Sequence, residues 1–176
     1  DTEVIVKKGC ICEGIIEKVE FPNRGKATVE GETVIVKNGI PGQKVRFVIN
    51  KKRGKRLEGR LLEVLEKSPL ERREPVCSVF PDCGGCMYQT MPYEEQLKMK
   101  QAQVKEILDR AVLGEYEYEN IYGSPQEFHY RNKMEFSFGD EFKGGPLALG
   151  MHKRGSFYDI VTTPGCRIVH GDFCKI

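Results

Sequence analysis

The sequence predicts a mainly β, α+β chain: a five-stranded OB-like barrel over residues 1–68, then a smaller unit over residues 77–176 that pairs one long helix with an antiparallel sheet. Three observations carry this. Short runs of alternating hydrophobicity follow one another at the start of the chain, separated by Gly and Pro turn signals. Apolar residues recur at helical spacing between Tyr93 and Ala111, and strict alternation returns from Tyr130 to Phe138.

The first strands are expected at Cys10–Phe21, Lys26–Glu30, Thr33–Lys37, Lys44–Asn50 and Leu57–Leu65. Pro22-Asn23-Arg24-Gly25, Glu30-Gly31-Glu32 and Ile40-Pro41-Gly42 punctuate them. Ser68-Pro69 ends the last strand, and residues 69–76 read as a charged linker. The helix has Thr90 as its expected N-cap, Pro92 in its first turn, and Glu94 and Glu95 at the positive end of its dipole. Tyr93, Leu97, Val104, Leu108 and Ala111 form its apolar stripe, and Gly114 stops it. In the alternating strand Tyr130, Met134, Phe136 and Phe138 are expected on the core face. Arg131, Lys133, Glu135 and Ser137 take the other face. Two more strands are expected near Leu147–His152 and Phe157–Val161, joined by Lys153-Arg154-Gly155-Ser156.

Charge is unevenly placed. The 176 residues carry a net charge of +2, but residues 1–68 hold 15 Lys/Arg against 10 Asp/Glu and the remainder is mildly acidic. Seven cysteines is an odd number and no apolar signal segment precedes the first strand, so a secreted disulfide framework is not expected. The expectation is a soluble cytoplasmic monomer with no membrane span.

Four of those cysteines, Cys77, Cys83, Cys86 and Cys166, are set at C-x5-C-x2-C with a distant fourth. In Asp82-Cys83-Gly84-Gly85-Cys86 two glycines let the backbone curl closely and aim N–H groups at sulfur. Three cysteines within ten residues around a Gly-Gly turn are poor core material, although inert buried thiols are the bland reading. Four thiolates hold either a tetrahedral zinc or an iron–sulfur cluster, and the spacing does not decide between them.

Cations gather at Lys51, Lys52, Arg53, Lys55 and Arg56, expected at a hairpin tip of the barrel, where they would neutralise phosphates. A solvated loop is the plain alternative. Arg131, Lys133 and Arg154 would extend such a surface, although an ordinary solvent-facing sheet side explains each of them as well. Nothing in the chain assembles into a catalytic site: no Gly-rich nucleotide loop follows a strand, no zinc-protease helix motif occurs, and His129, His152 and His170 are dispersed.

The order of parts resembles a known family. The connector Ser68–Cys77, Cys83-Gly84-Gly85-Cys86-Met87-Tyr88-Gln89, Tyr93–Lys100, Tyr130-Arg131-Asn132-Lys133 and Leu149-Gly150-Met151-His152 are similar to the amino-terminal half of the uracil-5 RNA methyltransferases. Those proteins begin with a TRAM domain, continue into a cluster-binding domain and end in a class I domain that binds S-adenosylmethionine. The resemblance implies a TRAM barrel over residues 1–68 and a central domain over 77–176 whose Cys77, Cys83, Cys86 and Cys166 ligate a 4Fe-4S cluster. It further implies RNA as partner, with 23S rRNA favoured over tRNA, and 5-methyluridine as product. The methyl-donor site, nucleophile and general base of the family lie in the third domain, which is absent from this chain, so none of its seven cysteines takes the nucleophile role and the chain by itself is expected to be inactive. A metal-stabilised RNA-binding module without catalysis is the competing expectation.

Overall fold

The computed structural model describes residues 6–54 and 56–175. The chain forms two compact units, one running to Arg72 and including Glu94–Ile121, the other made of Arg73–Tyr93 and the residues from Tyr122 onward.

The first unit is a curled six-stranded sheet. Its strands are β1 (Ile11–Ile15), β2 (Lys18–Glu20), β3 (Arg24–Val29), β4 (Glu32–Lys37), β5 (Lys44–Arg53) and β6 (Arg56–Glu66), hydrogen-bonded in the order β1-β5-β6-β4-β3-β2. The two edges of that order, β1 and β2, are successive segments of one bent strand, so the sheet curls into a barrel of five strand positions. All pairings are antiparallel except β4 with β6, where Val34, Ile35 and Val36 face Leu57, Glu58 and Gly59 in parallel register. This is the Greek-key order of an OB-type barrel.

The expected continuous strand Cys10–Phe21 is thus broken at Ile16. There the chain leaves β5 and turns toward β3: Ile16 N–H donates to Gln43 O at 2.9 Å and Glu17 N–H to Lys26 O at 2.8 Å. The Ile16 side chain is fully buried at this corner. The core repeats with the strand period. Val45, Phe47 and Ile49 of β5 point inward with Val34 and Val36 of β4, Leu57 of β6, Ala27 and Val19. Gly59 allows the Phe47 ring to cross this core, because a Cβ there would lie 2.7 Å from Phe47 Cδ2. The first linker residues are ordered on the barrel, with Glu71 accepting from Ser68 N–H at 2.8 Å and from Gln43 Nε2 at 3.0 Å.

Helix α1 (Tyr93–Ala111) falls within the barrel's unit, not with the residues after it. Gln103 explains why: it is buried, and its Nε2 donates to the Val19 carbonyl of edge strand β2 at 2.8 Å. Met99 packs against the barrel core, while Val104 and Ile107 stay exposed, so the buried face is rotated from the expected stripe. Thr90, the expected N-cap, is buried and lies three residues before the first helical residue.

The second unit contains β7 (Ser137–Asp140), β8 (Leu147–His152) and β9 (Ile160–Thr162) in the order β7-β8-β9, followed by a 3-10 turn at Gly171–Cys174. The alternating stretch expected as one strand from Tyr130 is divided. Arg131 instead bridges Val169 in parallel, its N–H donating to Ile168 O and its O accepting from His170 N–H. Tyr130 and Phe138, expected in the core, are consequently exposed.

Glu20 of β2 ties strand to helix. It lies 2.7 Å from Lys26, 3.4 Å from Lys18 and 3.5 Å from Arg110, and its pKa falls from 4.5 to about 2, chiefly through the hydrogen bond from Lys26. A carboxyl whose pKa is depressed on folding stabilises the fold above its unfolded pKa and loses that stabilisation as pH falls toward the folded value. Glu20→Gln is therefore expected to cost about 1–2 kcal/mol at neutral pH, after allowance for partial solvent screening, and nothing near pH 2. Denaturant unfolding of both proteins across that range checks this.

Candidate functional site

The four cysteines singled out by spacing are brought together within the second unit. Cys77, Cys83, Cys86 and Cys166 line one cavity, whose wall is completed by Val79, Phe80, Gly85, Gln89, Met134, Met151, Thr163, Arg167 and Ile168. Tight turns shape the loop that carries the first three: Phe80 N–H donates to Cys77 O at 3.2 Å and Cys83 N–H to Val79 O at 3.0 Å. Gln89 Oε1 accepts from Cys77 N–H at 3.2 Å.

The two glycines divide their roles. Gly85 N–H donates to Cys83 Sγ at 3.4 Å, whereas Gly84 N–H donates to the His152 carbonyl at 2.9 Å and fastens the loop to the end of β8. A Cβ at position 84 would stand 2.9 Å from that carbonyl, so the approach requires glycine. Cys83 also bridges Lys153 in antiparallel register.

Burial pushes the Cys83 and Cys86 thiols up from their ordinary pKa. A Gly85 N–H bond opposes this at Cys83 and a Gln89 side-chain bond opposes it at Cys86, while the neighbouring cysteines reinforce it. Among the described residues, no three His, Cys, Asp or Glu side chains are drawn together as ligands of a metal ion. The thiols are spread over the wall of a cavity that is otherwise largely apolar. Among the described residues, two buried polar side-chain atoms, Arg154 Nε and Thr163 Oγ1, have no hydrogen-bond partner. Leaving such an atom unsatisfied costs about 1–3 kcal/mol. Four soft sulfur donors, a backbone N–H aimed at one of them and two spare donors suit an iron–sulfur cluster.

Arg154 lies in the turn after β8, as expected, but is part-buried and bonded to the cysteine loop. Its guanidinium donates to Cys86 O and lies 5.3 Å from the centroid of the Phe80 ring. Spacing gave no sign of this, since Arg154 is far from the cysteine loop in sequence. Gln89 and Thr163 were likewise not foreseen, although Gln89 closes the motif that begins at Cys83.

The basic cluster is a hairpin tip, as its composition suggests. Arg53 pairs with Arg56 at the end of the β5–β6 ladder, and Lys51, Lys52, Arg53 and Arg56 are exposed. Lys55 lies outside the described residues. The cations are not equivalent. Lys51 and Arg56 each lie 3.5 Å from Glu58, and Lys52 Nζ donates to Val6 O at 2.8 Å. In the second unit Arg131 is exposed with Nη1 3.6 Å from Met134 Sδ, and Lys133 pairs at 2.8 Å with Glu135 in full solvent.

No protein-family model matches the chain. It is 45% identical over 171 residues to an uncharacterized RNA methyltransferase of Clostridium tetani, covering 97% of this chain and 37% of the relative. It is 42% identical to one of Caldanaerobacter subterraneus subsp. tengcongensis, covering 96% and 37%, and 36% identical to one of Chlorobaculum tepidum, covering 93% and 37%. The chain thus spans little more than a third of the length of these relatives, while nearly all of it is matched. No helix among the described residues is long and apolar enough to cross a membrane.

A thiol whose pKa is raised is less ionised at a given pH, and only the thiolate attacks an alkylating agent. Iodoacetamide at pH 8 is expected to label exposed Cys174 of the metal-free protein before Cys83 and Cys86. The difference should shrink as pH rises past the ordinary thiol range. Peptide mapping by mass spectrometry reads the order of labelling.

Proposed function

We propose that this chain is the RNA-recognition and cluster-bearing part of an S-adenosylmethionine-dependent RNA uracil-5 methyltransferase that makes 5-methyluridine in 23S rRNA. The observation that carries the reading is the meeting of Cys77, Cys83, Cys86 and Cys166 on one cavity in a chain similar along its length to proteins named RNA methyltransferases. The OB-type barrel with its basic hairpin tip supports it, since such barrels take nucleic acid along a charged surface. The protein would work in the cytoplasm, where thiols stay reduced.

The four cysteines would hold a 4Fe-4S cluster, which supplies iron–thiolate links between residues 77–86 and Cys166. The remaining work belongs to the chain itself. Lys51, Arg53 and Arg56 present cations on a rigid two-stranded ladder and neutralise phosphates, which positions RNA without selecting its sequence. Lys52, tethered to Val6 O, contributes mainly to holding the tip. Binding of S-adenosylmethionine, nucleophilic attack on uracil and proton removal fall to residues outside this chain.

Binding of an rRNA fragment is expected to weaken linearly with salt on logarithmic axes. Replacing Lys51, Arg53 and Arg56 together by Ala should flatten the slope by about 0.7–0.9 for each phosphate that is no longer neutralised. Fluorescence titration at several salt concentrations measures it, and equal slopes would make the tip a solvated loop. In the full-length protein the same substitutions should reduce 5-methyluridine formation in 23S rRNA at elevated salt, read by nucleoside mass spectrometry. Formation of a different methylated nucleoside would refute the uracil-5 assignment.

A further inference from the structure

The turn after β8 reaches back to the cysteine loop through three bonds. Arg154 N–H donates to Asp82 O at 2.6 Å, Gly84 N–H donates to His152 O at 2.9 Å, and Arg154 Nη2 donates to Cys86 O. The guanidinium lies over Phe80, a residue of the cavity wall, and stands within electrostatic range of the Cys83 and Cys86 sulfurs. Its Nε–H is withdrawn from solvent and has no acceptor among the described residues. The same holds for the hydroxyl of Thr163, which lines the same cavity three positions before Cys166.

Buried donors in folded proteins are almost always matched. Thr163 lines the cavity of four thiols, and Arg154 is bonded to the carbonyl of its lining residue Cys86, so these two unmatched donors mark the place of an acceptor, and the sulfur atoms of a cluster are acceptors. The planar fork of arginine suits the position: one edge is fixed by the Cys86 carbonyl, which leaves the Nε–H direction set in advance.

We propose that Arg154 and Thr163 are positioning residues of the cysteine centre, donating Nε–H and O–H to the sulfur atoms of the bound cluster and making its reduced, more negative state easier to reach. This inference rests on the iron–sulfur reading of the four thiols. Hydrogen bonds and positive charge at the sulfurs raise a cluster's reduction potential. Removing either residue must therefore move the potential down, which a purely structural role would not require.

The test uses the protein purified without oxygen, with iron and acid-labile sulfide measured before spectroelectrochemical titration. Arg154→Met and Thr163→Val are each expected to keep cluster content but shift the midpoint potential to more negative values. Arg154→Lys, which keeps the charge and loses the fork, should fall between Arg154→Met and wild type. Cluster-loaded variants that all titrate at the wild-type potential would overturn the proposal. If Arg154→Met fails to load, Thr163→Val decides, because it deletes one hydroxyl and leaves the hydrogen bonds from Arg154 to the loop in place. Wild-type protein without sulfide would sink the cluster reading itself, an outcome distinct from loaded variants with unchanged potentials.

Discussion

Cys77, Cys83, Cys86 and Cys166 converge on one cavity of the second unit, and in the proposed reading the cluster they share is the constraint on which that unit depends. Among the described residues that unit buries only four apolar side chains nearly completely: Met91, Ile160, Ile168 and Val169. The barrel's unit buries twelve. So small a core offsets little of the entropy of ordering a chain of that length, and small units of this kind are usually stapled by disulfides or metal. All seven cysteines are free, so no disulfide supplies the staple among them. Inorganic bonds from four thiolates would supply it, joining a loop and a segment 80 positions apart.

The barrel meets a different problem, which is how to end a sheet. It does so by bending its first strand at Ile16 so that β1 and β2 take opposite edges of the hydrogen-bonded order. Helix α1 covers the edge carbonyl of Val19 through Gln103, and ion pairs from Glu106 and Arg110 reach Lys18 and Glu20. With its edge covered, the β5–β6 hairpin is free to project a basic tip without carrying core residues beyond Leu57. Stability and nucleic-acid contact are thus separated along the length of two strands.

Periodicity made the barrel legible because its strands have one buried face: Val45, Phe47 and Ile49 alternate with half-buried Lys44, Arg46 and Val48, and turn signals separate the strands. Charge density made the hairpin tip legible in the same way. The helix was visible, but its orientation was not. Its buried anchor is Gln103, a polar residue whose value lies in one carbonyl of another element, while apolar Val104 stays exposed. The Tyr130–Phe138 stretch misled because alternation reports two faces and not a partner. Arg131 pairs with Val169 and Ser137 with Gly150, so one sequence pattern serves two separate ladders. Cysteine spacing singled out the four thiols that line the cavity, whereas Thr163 and Gln89 reach it, and Arg154 reaches the cysteine loop, only through the fold.

The central claim is that these four thiols hold an iron–sulfur cluster which fastens the second unit. Iron and acid-labile sulfide, measured per chain on protein prepared without oxygen, test it most directly. The expected result is iron and sulfide in equal amounts, both lost together with the protease resistance of residues 122–175 in Cys166→Ser. Stoichiometric zinc with no sulfide, or a Cys166→Ser protein that retains iron, sulfide and protease resistance, would contradict it.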